Sequence, residues 1–450
     1  MTRFCFIANY HLTPLQIAVA TGLQSRGIHS CWIVVNRRRR DEILEAGWSK
    51  ADVLYLPLPV SKEYRQFDKY PIKFFDLITA DRALRHMPAR ALAFLHNSAE
   101  SMLEFLQRQH IDFVFGEPTW AHERLAAALC DRLGNVKFLW PHTVRFPSGR
   151  WGFFIGEDQT QLFELSECKD GDTVALQSLD TSTPSYVKRN NELLAHAQSP
   201  LARLSRIKRF LTRENIDTKD PTLIQSRMAT LKVAGGEELN RVLYRFVKRT
   251  PISDELLGRP FVLYALHKQP ESSIDVIGRY YEDQAKLIEA LWRSLPTGWW
   301  LYVKEHTNAI GDRPPAFYHR VQKLLNVEIL DERASAKQVI AASQAVFTVS
   351  GTIAYEAALL GKLSFTFAPM FFNRFPRCSR ISIDDLRNSV DLKDLVAKLG
   401  LEHASDASLF VLKNSISGSF TDVYSDPAVV SSINVKQVVD GFMRIVKCVA

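Results

Sequence analysis

Three short apolar runs, residues 261–266, 301–306 and 345–349, each end in a knot of polar and ionisable side chains. The first delivers His267, Gln269, Pro270 and Glu271. The second closes on Lys304, Glu305 and His306, and the third on Ser350, Gly351 and Thr352, with Glu356 one helical turn further. Uninterrupted apolar runs of this length read as strands covered on both faces, which a parallel sheet requires. In open α/β sheets ligands bind at the carboxyl ends of the strands. The repeated pattern therefore predicts a ligand site, and an active site, at one sheet edge.

The same alternation occurs twice. Before residue 150, strands are expected at 4–8, 31–35, 53–58, 91–94 and 113–115, with helices at 14–24, closed by Gly27, and at 120–133. It resumes at residue 261, with strands at 300–303, 327–330 and 363–367 and helices at 277–295, 314–325, 336–343 and 353–360. A helix is expected at 435–446. Strands alternating with helices imply doubly wound, mostly parallel sheets. The fold class is α/β, with two Rossmann-like domains and a helical insert. The expected division is an acceptor-side domain at 1–164, a basic helical insert at 165–259, a nucleotide-sugar domain at 260–385, and a helical tail at 386–450 packing back on the first domain.

With 450 residues the chain is too long for one ordinary core. No apolar run approaches the roughly 18–20 residues that span a bilayer. Residues 1–10 enter a strand without the features of a signal peptide, so a cytoplasmic location is expected. The six cysteines show no metal-ligand spacing, and reduced thiols are expected. Between Lys188 and Arg259 stand 15 Lys/Arg against 8 Asp/Glu, a balance of +7, nearly all of the net +8. Such a stretch is either a solvated helix face or a contact with an anionic membrane surface or anionic substrate. No nucleic-acid motif accompanies it.

Each candidate has a plain structural alternative. Lys304, Glu305 and His306 suit the stabilisation of a phosphate leaving group, or are ordinary charges in a turn. Ser350, Gly351 and Thr352 offer close backbone approach and an anion-binding helix start, or simply cap that helix. Glu356 reaches a sugar hydroxyl or complements the helix dipole. His267, Gln269 and Glu271 occupy a turn stiffened by Pro270. In the first domain, Glu117 at a strand end is the candidate general base for an acceptor hydroxyl. Asn9, His11 and Thr13 form the acceptor-side loop, or a polar turn before the next helix. No GxGxxG, Walker A loop, HExxH or GxSxG stands in a credible context, and no DxD-like pair implies a metal.

Two doubly wound domains are the glycosyltransferase-B architecture, which UDP-sugar epimerases and glycogen phosphorylases share. Leu266 to Glu271, Tyr302 to His306, and Val349 to Thr352 with Glu356 to Ala358 and Gly361-Lys362 are similar to the bacterial capsule polysaccharide biosynthesis family, which includes β-Kdo transferases. Residues 260–370 carry the likeness best, and Thr307 stands where that family has proline. The resemblance implies a metal-independent, inverting transferase that uses a CMP-activated acidic sugar such as CMP-Kdo and no separate cofactor. It also implies that the His306 loop and Ser350-Gly351-Thr352 hold the phosphate and ribose. Expected partners are the nucleotide sugar, a glycan or glycolipid acceptor and the inner-membrane surface, with no nucleic acid. The competing readings are a UDP-sugar 2-epimerase-like enzyme and a non-catalytic sugar-binding or assembly protein on the same fold.

Overall fold

The computed structural model describes residues 2–145, 149–165, 205, 208, 217–399 and 407–449. The chain divides into two compact units. The first gathers Met1–Glu157, Leu162–Ser226 and Phe410–Ala450, and the second Asp158–Gln161 and Arg227–Leu409. Residues 227–259 and 386–409, read from sequence as parts of an insert and a tail, belong to the second unit.

The strands are β1 (Arg3–Ile7), β2 (His29–Val34), β3 (Val53–Tyr55), β4 (Phe113–Phe115), β5 (Lys137–Thr143), β6 (Arg150–Ile155), β7 (Phe261–Ala265), β8 (Trp300–Lys304), β9 (Val327–Leu330), β10 (Ala345–Thr348), β11 (Leu363–Thr366), β12 (Cys378–Arg380) and β13 (Ile416–Ser417). In the first unit they run in the order β13-β6-β5-β4-β1-β2-β3. Strands β5, β4, β1, β2 and β3 are parallel neighbours, whereas β6 is antiparallel to β5 and β13 to β6. The second unit orders its strands β12-β11-β10-β7-β8-β9, all parallel. The chain reverses its direction of growth between β1 and β4 in one sheet and between β7 and β10 in the other. Loops at such switch points diverge and leave a crevice.

Packing explains the parallel strands. Every residue of β7 and β10 is buried, so both faces of these strands are covered and carry mostly apolar side chains. In the first unit the helix Ser432–Val449 lies in the same core as the helix Thr13–Gln24. Its Phe442 sits among six aromatic rings, with centroids 4.8 Å from Phe115, 5.0 Å from Phe153 and 5.6 Å from Phe6, and further contacts to Phe4, Trp151 and Phe420. Gly441 leaves room for this: a Cβ there would stand 2.7 Å from Ile416 Cδ1 and 2.8 Å from Trp151 Cζ2.

Several local expectations are corrected. Residues 91–94 are not a strand; they lie inside the helix Pro88–Arg108, whose buried Ala91, Leu95, Ser98, Met102 and Phe105 repeat at helical spacing. The hairpin of β5 and β6 went unread because Pro141 and Gly152 sit in its strands, residues that sequence rules count against a strand. The helix expected at 277–295 covers only Gln284–Arg293, since the Asp283 carboxylate accepts the Lys286 N–H at 3.2 Å and starts it there.

Of the basic stretch, residues 188–204, 206–207 and 209–216 lie outside the described residues. No helix among the described residues is long and apolar enough to cross a membrane. Cys5, Cys31, Cys130 and Cys378 are free and buried. Cys448 is disulfide-bonded, which corrects the expectation of six reduced thiols.

Candidate functional site

In the second unit the switch point brings the loops after β7 and β10 together. His267, 7% exposed, follows β7. Its backbone N–H donates to Gln284 Oε1 at 3.0 Å, and its carbonyl accepts from Arg313. The Ser350 N–H donates to His267 Nε2 at 3.1 Å, so that nitrogen carries no proton, and Thr348 Oγ1 lies 2.8 Å from it. Burial, reinforced by Arg313 and His306, drops the imidazole pKa to about 3, and the ring stays neutral. Read from sequence as a ligand-binding residue, His267 turns its Nε2 inward and sews the two loops together.

Gly351 lies against this seam. A Cβ there would stand 2.7 Å from Thr348 Oγ1 and 3.2 Å from His267 Nε2, so only glycine lets the backbone lie so close. Ser350 Oγ donates to the Ser273 carbonyl at 2.7 Å, and Thr352 opens the helix Thr352–Leu359. Glu356 sits in that helix and is exposed.

Glu305, at the end of β8, is fully buried. Its oxygens accept from Arg313 at 2.7 and 2.8 Å, from the Tyr318 hydroxyl at 2.6 Å, and from the His306 N–H at 2.7 Å. Both oxygens are thus spent within the protein. This corrects the reading of Glu305 as a sugar-binding group: it fixes the loop that carries His306. Arg313 and Tyr318, unmarked in the sequence reading, are its partners. Lys304 is 9% exposed and donates to the Glu332 carbonyl at 3.1 Å. Burial lowers its pKa, against the pull of Glu305 and Glu332. His306 is exposed, and its Nδ1 accepts the Asn308 N–H at 3.2 Å. Gln269 bridges Gln284 at 3.1 Å and the Glu282 carbonyl at 3.2 Å, and the Gln269–Pro270 peptide is cis. Glu271 accepts the Ser273 hydroxyl at 3.0 Å and acts electrostatically on His306.

In the first unit, the loops after β1 and β4 flank the other switch point. Glu123, fully buried in the first turn of the helix Ala121–Leu133, organises both. It accepts from the backbone of Glu117 at 3.2 Å, Thr119 at 3.2 Å and Trp120 at 3.3 Å, from the Thr119 hydroxyl at 3.3 Å, and from Asn9 Nδ2 at 3.4 Å. Asn9 thus belongs to this network. His11 is exposed, stacks on Tyr424 with centroids 5.2 Å apart, and gives its carbonyl to the Val423 N–H at 3.2 Å. Thr13 is completely buried, and its hydroxyl meets no partner among the described residues.

Glu117 stands at the centre of this edge. Desolvation lifts its carboxyl to about 7; Arg82 opposes the rise and Asp422 adds to it. Burial and then the Glu117 charge push Glu123 up to about 8. Beside them a small, open hollow is lined by Asn9, Tyr10, Asn36, Trp120, His122 and Thr222, among others. Arg82 and Tyr424 were missed because they lie far from Glu117 in sequence and sit in no motif. Chemically, this edge offers a carboxylate poised to take a proton near neutral pH, and the second unit offers backbone, hydroxyl and cationic groups suited to a phosphate.

No family model and no curated protein sequence matches the chain. Among solved structures, it is similar to a β-Kdo 2,7-transferase, KpsC, of Thermosulfurimonas dismutans at 13% identity and a TM-score of 0.33, over 75% of this chain and 89% of that one. The UDP-GlcNAc 2-epimerase of Neisseria meningitidis bound to UDP-GlcNAc aligns at 12% identity and a TM-score of 0.23, over 98% of this chain and 100% of that one. A glycosyltransferase from Rickettsia africae gives 13% and 0.26, over 99% and 97%. At these scores, function rests on the residues of the two switch points themselves.

Proposed function

We propose that the chain is a nucleotide-sugar-dependent glycosyltransferase. The observation that carries this reading is Glu117: a carboxyl raised to about 7 at the carboxyl edge of a doubly wound sheet, beside a small hollow edged with amide, hydroxyl and aromatic groups. A base for an alcohol needs a pKa near the working pH, which burial supplies here.

In the proposed reaction, the acceptor hydroxyl oxygen forms a bond to the anomeric carbon of the donor. The bond from that carbon to the phosphate oxygen breaks, and its electron pair leaves with the phosphate. The hydroxyl proton passes to Glu117. Attack on the face opposite the leaving group inverts the anomeric centre. The departing phosphate is assigned to the second unit, where Lys304 supplies a point charge, His306 a hydrogen-bond donor, and Ser350-Gly351-Thr352 a helix start that favours anions. The donor we favour is a CMP-activated acidic sugar such as CMP-Kdo, and the product a surface polysaccharide on a glycan or glycolipid acceptor. The chain's net charge of +8 suits such anionic substrates and a peripheral place on an anionic membrane.

Calorimetric titration of the full chain with CMP and with UDP tests the donor assignment. CMP should bind, and His306→Ala should weaken it by roughly tenfold or more, the worth of a charge-assisted hydrogen bond. UDP binding without a CMP response would overturn the CMP donor. Interconversion of a UDP-sugar with no acceptor present would replace transfer by epimerisation.

A further inference from the structure

Arg82 is a cation whose buried Nε meets no hydrogen-bond partner among the described residues. It follows Asp81, which is 2% exposed and whose carboxylate accepts the N–H groups of Ala83, Leu84 and Ala121, each at 2.8 Å. The last of these bonds ties the Arg82 turn to the start of the helix Ala121–Leu133. As a result the Arg82 guanidinium lies 4.4 Å over the Trp120 ring. A second neighbour of that ring is Tyr10, 5.9 Å away, whose φ of 34° is unusual for a side chain of its size. Arg82 also lies close enough to Glu117 to act on its charge.

Stacking uses the face of a guanidinium and leaves its edge, with five N–H donors, free to bind. Arg82 Nε is buried without a hydrogen-bond partner, and its guanidinium makes no ion pair among the described residues. Two more deeply buried arginines contrast with it. Arg124 is bonded to Asp76 and Glu157, and Arg313 to Glu305. An arginine kept partly from water with its fork unpaired is costly unless an anion comes to it.

We propose that the Arg82 fork, laid over Trp120 beside Glu117, is a subsite for an anionic group, a carboxylate or a phosphate ester, on the sugar that enters the first unit as acceptor. The inference rests on the reading of Glu117 as the acceptor's base. A carboxylate or phosphate matches the fork with two parallel hydrogen bonds. The bound anion also cancels the Arg82 charge that holds Glu117 ionised, which makes Glu117 a stronger base when acceptor is present.

Calorimetric titration of the full chain with D-glucuronate, glucose 6-phosphate and glucose separates the outcomes. One of the two anionic sugars should bind at least roughly tenfold more tightly than glucose, the worth of a charged hydrogen bond. Which of them does so distinguishes carboxylate from phosphate. Arg82→Gln should erase the preference, and Arg82→Lys, which keeps the charge without the fork, should retain part of it. CMP titration of the same proteins should not change. Equal binding of all three sugars to the wild type, or equal preference in Arg82→Gln, overturns the subsite and leaves the transferase reading intact. An Arg82-dependent preference in a chain that binds neither CMP nor UDP keeps the subsite and overturns the transferase reading.

Discussion

Glu117 shows how one residue can oppose stability and serve chemistry. Its ordinary pKa is 4.5, and in the fold it rises to about 7. The folded chain therefore holds the proton more tightly than the unfolded one. The associated stability is complete below about 4.5 and is lost as the pH climbs through about 7. Glu117→Gln keeps the shape and removes the titration. We expect it to match the wild type near pH 4 and to be more stable above pH 8, by ~3 kcal/mol at most. Denaturant midpoints at the two pH values check this, and equal midpoints at pH 8 would refute it. The same substitution should lower transfer by roughly 10²–10⁴-fold, because a general base contributes that much. In the wild type the rate should rise with pH and level off above about 7.

Elements were legible wherever the local pattern and the tertiary role agreed. Residues 261–265, 300–304 and 345–348 form β7, β8 and β10, as their unbroken apolar runs predict, and they set the α/β class. Residues 91–94 misled because four apolar residues fit a strand or a helix equally, and only the longer 88–108 spacing decides. The chemistry of Lys304-Glu305-His306 was readable as a cluster, but not its division of labour. That Glu305 turns inward depends on Arg313 and Tyr318, which no spacing rule ties to it. Arg82 was invisible for a similar reason, since its place over Trp120 depends on the Asp81 bond to Ala121. At this scale the helix Ser432–Val449 has the clearest energetic role. Truncating Phe442, which is wholly buried among six rings, should cost about 3–5 kcal/mol. Thermal unfolding of Phe442→Ala measures it, and a loss below about 1 kcal/mol would show that the ring cluster does not hold that helix.

At the scale of the whole molecule, a deeply buried neutral imidazole stands near the switch point of each unit. His122 and His267 are 3% and 7% exposed, and burial lowers both from 6.5 to about 3. Here the sign is opposite to that of Glu117. The unfolded chain binds the proton more tightly, so stability is intact above about 6.5 and is lost as the pH falls toward 3. His122→Gln should flatten the acid limb of the stability curve between pH 6.5 and 4.5 by about 1.4 kcal/mol per pH unit. Parallel wild-type and variant curves would reject this account. A last consequence concerns the order in which the molecule can be finished. Residues 227–409 form most of one unit in a single stretch, whereas the other waits for residues 410–450 to supply β13 and the Phe442 helix. During synthesis the second-built half can close first. The first-built half meanwhile lacks the Phe442 ring that packs on Phe4, Phe6, Phe115 and Phe153 until residues 432–449 are made. That interval, rather than the mature fold, is when this protein most needs a chaperone.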